Sequence, residues 1–190
     1  MFEQKWVYIL LIFLFIVISS LLKWIRQVKA QKVSLYSIIK AIIIIVIASL
    51  ALVVLISLPL IEQPRITSDV ILPAGILLII FGFAINILVA RQLARIKFKM
   101  KGLGIPDQLI TSGLFSIVRH PSSIGILGMI IGWYFLWGAL YCLYFAVPII
   151  VLVIFIENKL EERNLENNFG EEYKTYKSKV GMYFPIFKQK

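Results

Sequence analysis

Apolar and polar positions alternate along this chain in blocks, not in narrow stripes. Trp6–Leu22 forms a first apolar block. Ala41–Ile61 is a second, almost pure Ile, Val, Leu and Ala, and Val70–Ala90 is a third. Then comes an uncharged run of 35 residues, Ser122–Ile156. Apolar blocks of this length predict membrane-spanning helices. As one helix the last run would measure roughly 50 Å against about 30 Å of bilayer core. It therefore reads as two spans joined by a tight turn near Trp137-Gly138, with Trp133, Tyr134, Trp137 and Tyr141 as an interfacial aromatic belt. Gly125, Gly128 and Gly132 would let the two helices of that hairpin approach closely. The third block holds Gly75, Gly82 and Asn86, a small and slightly polar face that suits neighbouring helices better than lipid. Asn86 reads either as a helix–helix hydrogen bond or as a ligand contact.

The expected fold is an all-α integral membrane protein with five transmembrane helices, the last two a tight hairpin, followed by short C-terminal helices. Residues 1–100 carry the first three spans and their basic loops, and residues 101–190 a second, functional half. In the tail, Asn158–Phe169 reads as one amphipathic helix capped by Gly170, with Leu165 and Phe169 one turn apart. Glu171–Val180 reads as a second, with Tyr173, Tyr176 and Val180 on one face. Phe184-Pro185-Ile186-Phe187 is an apolar end suited to the membrane interface.

Charge fixes the expected orientation. The net charge of +10 is concentrated between apolar blocks: Lys23, Arg26, Lys29, Lys32 and Lys40 in one loop, Arg91, Arg95, Lys97, Lys99, Lys101 and Arg119 against Asp107 in another. The positive-inside rule puts both loops and the C-terminus in the cytoplasm and the N-terminus outside. Topology accounts for these cations, and the interleaving of aromatic and basic residues that marks a nucleic-acid site is absent. Trp6–Leu22 has no small-residue cleavage site before the charges beyond it and is expected to be retained.

Composition narrows the chemistry. With one histidine, His120, and one cysteine, Cys142, a zinc site of the usual ligands is excluded. Cys142 lies in an apolar segment, which disfavours a thiolate and points to packing. There is no G-x-S-x-G, and Gly102-x-Gly104 follows no expected strand, so neither a hydrolase elbow nor a dinucleotide fingerprint is present. What remains are two polar clusters flanking the hairpin. One is Arg119-His120-Pro121, where proline suits the first turn of a helix and the helix start favours an anion. The other includes Glu157, Glu161 and Glu162. Meeting in space, they could grip a zwitterionic cofactor such as S-adenosylmethionine through its carboxylate, ammonium and ribose hydroxyls. They could equally be a membrane anchor, a polar boundary residue and a solvated helix face.

The spacing Gly113-x-Phe115-x-x-x-Arg119-His120-Pro121, then a hairpin, then Glu161-Glu162-x-x-Leu165-x-x-x-Phe169-Gly170-x-x-Tyr173-x-x-Tyr176 and Pro185 resembles the isoprenylcysteine carboxyl methyltransferase family. Related membrane enzymes that methylate phospholipid amines share much of this signature. The resemblance covers about residues 100–187. It implies a cytoplasm-facing S-adenosylmethionine site and a lipidic or prenylated acceptor entering from the bilayer. Carried over, the Gly113, Leu114 and Phe115 backbone, Arg119, His120 and Pro121 would line the cofactor pocket, with Glu161 or Glu162 closing it, and Tyr173 and Tyr176 would pack the tail. Where the family usually has a tyrosine two residues after the proline, this chain has Ser123. Where an arginine is common before the terminal proline, it has Met182. An NADPH-dependent reductase resembling the sterol reductases, and a non-enzymatic membrane scaffold, are the competing readings.

Overall fold

The structure, a computed structural model, describes residues 35–96, 100–101, 105–106 and 108–186. The expected first span, Trp6–Leu22, and the Gly102-x-Gly104 stretch lie outside the described residues. The chain falls into two units, Met1–Glu62 and Gln63–Lys190.

In the first unit, helix α1 (Leu35–Ser57) runs into a 3-10 turn, Leu58–Leu60. The α-helix stops there because Pro59 lacks a donor and its ring would meet the carbonyl four residues back. This element covers most of the expected second span and begins six residues before it.

The second unit contains α2 (Ile71–Ile96), α3 (Pro121–Leu136) and α4 (Val147–Lys179), the last entered through a π-helical turn, Cys142–Ala146. The regular elements among the described residues are helical apart from one antiparallel pair of two-residue strands, β1 (Met100–Lys101) and β2 (Ile105–Pro106). A short strand therefore does precede Gly102, contrary to the sequence expectation. Among the described residues the next helical turn after β2 is Gly113–Ser116. Helix α2 also runs six residues past the expected end of its span, which makes Arg91 and Arg95 helical instead of loop residues.

Two helical stretches, Ile71–Ile96 and Cys142–Lys179, are long and apolar enough to cross a membrane. Their outer faces carry large apolar side chains in the open: Leu77 is 66% exposed and Ile149 62%. A water-soluble surface does not present such continuous apolar area, whereas lipid matches it. Helix α3, with 16 residues, rises about 24 Å, short of a bilayer core.

The glycines of α3 do not face α4, as the sequence suggested. They face α2, where Gly75 and Gly82 answer them. A Cβ on Gly132 would stand 2.6 Å from the Gly75 carbonyl oxygen, and one on Gly75 would stand 2.8 Å from that of Gly132. Backbone meets backbone here, the close approach that small residues allow between membrane helices. Asn86 belongs to the same seam. Its Nδ2 donates to Gly82 O at 2.9 Å, and the amide lies over Gly125 and 3.9 Å from Met129 Sδ of α3.

The turn between α3 and α4 lies at Trp137-Gly138, with Gly138 N donating to Phe135 O at 2.9 Å. Residues 63–66 run along it. Ile66 N donates to Gly138 O at 2.9 Å, Arg65 Nη1 to Trp137 O at 2.9 Å, and Gln63 Oε1 accepts from Tyr141 N at 3.0 Å. Cys142 is buried, as its apolar setting suggested, and its Sγ accepts a hydrogen bond from Gln63 Nε2 at 3.6 Å.

The tail departs from expectation in one respect. Asn158 does not begin a new helix: α4 continues past the apolar segment to Lys179 and is interrupted only at Gly170, with φ 51° and ψ −123°. Beyond that kink Tyr173, Tyr176 and Val180, which the helical spacing put on one face, are buried against Leu109, Leu165 and Phe169. A Cβ on Gly170 would meet no atom within 4 Å, so Gly170→Ala isolates the backbone effect. It is expected to cost about 1–3 kcal/mol, the range for a residue held in a sparsely populated conformation. A drop in Tm of the detergent-solubilised protein measures it, and an unchanged Tm would show that the bend is not held.

Candidate functional site

The site is assembled where the start of α3 meets the polar continuation of α4. Val118 and Gly181 form a parallel bridge, with Arg119 N donating to Gly181 O at 2.8 Å and His120 N to Met182 O at 3.1 Å. This zipper brings the Arg-His-Pro motif and the end of the tail together. Pro121 is the first residue of α3, so its missing donor leaves no gap in the helix.

Glu162 is the centre of the cluster. It is 1% exposed, and its Oε1 accepts from Arg119 Nε at 2.8 Å. His120 Nε2 approaches the same oxygen at 3.5 Å, an electrostatic contact instead of a closed hydrogen bond, and Nδ1 stands 3.6 Å from Glu161 Oε2. Lys159 and Lys177 approach Glu162 Oε2 at 3.5 and 3.8 Å. Burial pushes the Glu162 carboxyl up, but contact with the His120 and Arg119 side chains and the charges of Arg119 and Lys159 outweigh it and hold it at about 2. Glu162 is therefore an anion across the physiological range.

Arg119 is largely occupied by the fold. Besides Glu162, its Nη1 donates to the carbonyls of Lys177 (3.1 Å) and Val180, closing the C-terminal end of α4. The Gly113–Phe115 backbone is tied as well. Leu114 N donates to Gln92 Oε1 at 3.1 Å, and Phe115 O accepts from the Tyr176 hydroxyl at 2.6 Å. Burial pushes Tyr176 up to about 12 against the Arg119 charge, so the phenol keeps its proton. Tyr173 is raised by burial and then by Glu162. Among the expected site residues, the structure thus brings Arg119, His120, Pro121, Glu161 and Glu162 together, while Gly113, Leu114 and Phe115 reach the group through Tyr176. The free capacity lies with buried His120 Nε2 and Glu162 Oε2, neither of which closes a hydrogen bond among the described residues.

Two polar residues not assigned from sequence stand beside them. Asn158, 6% exposed, exchanges hydrogen bonds with Ser123 and donates to the Tyr183 hydroxyl at 2.8 Å. The Tyr183 ring is 6.3 Å from that of His120. Gln92, the partner of Leu114, was equally unmarked. Asn158 carried a faint signal, as the first neutral polar residue after the apolar run; Tyr183 carried none.

Next to this cluster lies an apolar cavity of about 590 Å³ between α2, α3 and α4, with Leu78, Phe81, Ile124, Leu152 and Phe155 among its walls and Tyr183 at one side. None of its lining residues is charged.

The sequence profile of the phospholipid methyltransferase family matches residues 70–172. The chain belongs to this family. That membership, within the isoprenylcysteine carboxyl methyltransferase-like group, bears out the resemblance seen in the motifs, and it makes the protein a member of a lipid-directed membrane methyltransferase family. No curated protein and no solved structure matches the chain. The matched stretch spans α2, α3 and α4 as far as Glu172, so it includes both motifs that meet at Glu162 and omits Tyr183.

Proposed function

We propose that this phospholipid methyltransferase family member transfers a methyl group from S-adenosylmethionine to the amine of a membrane phospholipid. The observation that carries the reading is the adjacency of two unlike regions: a buried charged cluster around Glu162, and an uncharged cavity of about 590 Å³ whose wall residue Tyr183 stands against His120. The first suits a charged, polyhydroxylated cofactor and the second an acyl chain.

The residues present fit the cofactor. Buried Glu162 Oε2 and His120 Nε2 have unused hydrogen-bonding capacity, and a ligand rich in hydroxyl, ammonium and carboxylate groups would complete it. Bound there, S-adenosylmethionine supplies a sulfonium methyl that the acceptor lone pair displaces directly, the electron pair of the broken C–S bond going to sulfur. The chain's share is to orient the two partners and exclude water. His120 and Glu162 bind and fix, Arg119 holds Glu162 in place, and Glu161, 59% exposed on its side chain, can take the proton that the amine sheds.

An amine acceptor agrees with the uncharged cavity and with Met182, which puts no cation where a prenylcysteine carboxylate would call for one. We further propose that residues 101–190 carry the transfer machinery, that the chain crosses the membrane five times, and that the His120–Glu162 face is cytoplasmic. The basic loops support that orientation.

Calorimetric titration of the detergent-purified protein with S-adenosylmethionine and, in parallel, with NADPH tests the class. Saturable binding of the first alone is expected. Binding of NADPH alone would install the reductase reading, and binding of neither by a folded protein the scaffold. His120→Ala is expected to weaken S-adenosylmethionine roughly tenfold or more, the loss of one hydrogen bond to a charged group. Unaltered affinity would remove His120 from the site.

A further inference from the structure

We infer that Tyr183 is the residue that seats the acceptor's headgroup, donating a hydrogen bond to a phosphodiester oxygen at the border between the chain cavity and the charged cluster. The inference rests on the reading above and adds a residue that lies outside the stretch the family profile matches.

The geometry begins at Asn158, which is buried where the apolar part of α4 ends. Its Nδ2 donates to Ser123 Oγ at 2.9 Å and to the Tyr183 hydroxyl at 2.8 Å, and its Oδ1 accepts from the Ser123 hydroxyl at 3.1 Å. Asn158 is thus held from α3 and in turn holds Tyr183. The Tyr183 oxygen is used as an acceptor, and among the described residues its own hydrogen is donated to no protein group. A phenol that accepts one hydrogen bond becomes a better donor of its own through polarisation of the chain of bonds.

The direction of that donor is set by where the ring stands. Tyr183 lines the cavity whose walls include Leu78, Phe81, Ile124, Leu152 and Phe155, and its ring centroid is 6.3 Å from that of His120. A lipid with a chain in the cavity therefore presents its first polar atoms to this hydroxyl, with the headgroup running on towards His120. The charge at the same border favours an anionic oxygen. Lys159 Nζ lies 5.5 Å from the centroid of Phe155, a wall of the cavity, and 3.5 Å from Glu162 Oε2 of the cluster, on a half-exposed side chain. A donor plus a nearby cation suits a phosphodiester. Donation to that oxygen leaves the amine lone pair free for attack, whereas donation to the nitrogen itself would block it.

Tyr183→Phe keeps the ring and removes the donor, so it separates positioning from packing. The assay is transfer of labelled methyl from S-adenosylmethionine to dioleoylphosphatidylethanolamine in mixed detergent micelles. The expected result is a rise of about tenfold in the KM for the lipid, the size of one hydrogen bond. S-adenosylmethionine affinity should be unchanged by calorimetry and kcat should stay within about twofold. Asn158→Leu, which releases the hydroxyl from its support, should move the lipid KM in the same direction. An unaltered lipid KM in Tyr183→Phe, with the wild-type protein active, overturns the role of Tyr183 alone. An equal loss of cofactor affinity overturns it too, since the hydroxyl would then serve the cofactor. A wild-type protein that binds S-adenosylmethionine but does not methylate this lipid removes the phospholipid acceptor and this inference with it, leaving the cofactor assignment standing.

Discussion

Replacing Glu162 with glutamine is expected to destabilise the protein by about 3 kcal/mol and to abolish measurable binding of S-adenosylmethionine. The substitution keeps the shape and removes the charge. Arg119, 8% exposed on its side chain, then loses the only carboxylate within reach of its Nε among the described residues, and a buried cation without its partner is costly. Lys159 and Lys177 lose the same counter-charge, but both are well exposed and water compensates them. Thermal unfolding in detergent, followed at two pH values, separates this effect from cofactor loss. The Glu162 pKa is depressed to about 2 from its ordinary value of 4.5, so its contribution is complete above about pH 5. That contribution is lost as the pH falls from about 4.5 through 2, because the unfolded chain then takes up the proton first. The gap between wild type and Glu162→Gln should accordingly close in acid and be constant from pH 6 to 8. A gap that is undiminished at pH 3 would mean that packing, not charge, holds the carboxylate.

This network was half legible in the sequence. Arg119, His120 and the Glu161-Glu162 pair stand out because charged residues flanking a long uncharged run are rare and need a reason. Helical spacing also put Leu165 and Phe169 one turn apart and Tyr173, Tyr176 and Val180 on one face, and the structure packs these together. Division of labour within the cluster was not legible. Arg119 looked like a ligand for a cofactor carboxylate, yet its guanidinium spends two of its groups on Glu162 and on the carbonyls of Lys177 and Val180. Nothing local to residue 119 announces that a helix end 58 residues later will need donors. Tyr183 was hidden for the same reason. Its partner Asn158 lies 25 residues away, and the pairing exists only because the Val118–Gly181 bridge folds the tail back. The serine at 123, where the family usually has a tyrosine, is the other half of that pairing: it holds Asn158, which holds a tyrosine near His120 from the tail.

The second large effect is expected at the α2–α3 seam, where Gly132→Leu should prevent recovery of folded protein while Gly128→Ala should be tolerated. The glycine row was visible in the sequence, but periodicity names a face and not the neighbour it meets, and the nearest helix in sequence was the wrong one. In the structure a Cβ on Gly132 would stand 2.6 Å from the Gly75 carbonyl oxygen and 2.8 Å from Ile79 Cγ1. The first obstacle is backbone, which no rotamer change relieves. A leucine there must force the helices apart along the whole contact that positions His120 at the start of α3, and overpacking of this kind costs about 1–3 kcal/mol or more. At Gly128 the nearest atom to a Cβ is Leu78 O at 3.3 Å and the next are 3.7 Å or beyond, a shift of a few tenths of an ångström. Yield of monodisperse protein after detergent extraction, read by size-exclusion chromatography, compares the two. Equal recovery would mean that α2 and α3 do not pack backbone to backbone. Selective failure of Gly132→Leu would instead show that the seam of α2 and α3 is what holds the mouth of the site, because the polar cluster itself would be untouched by the change.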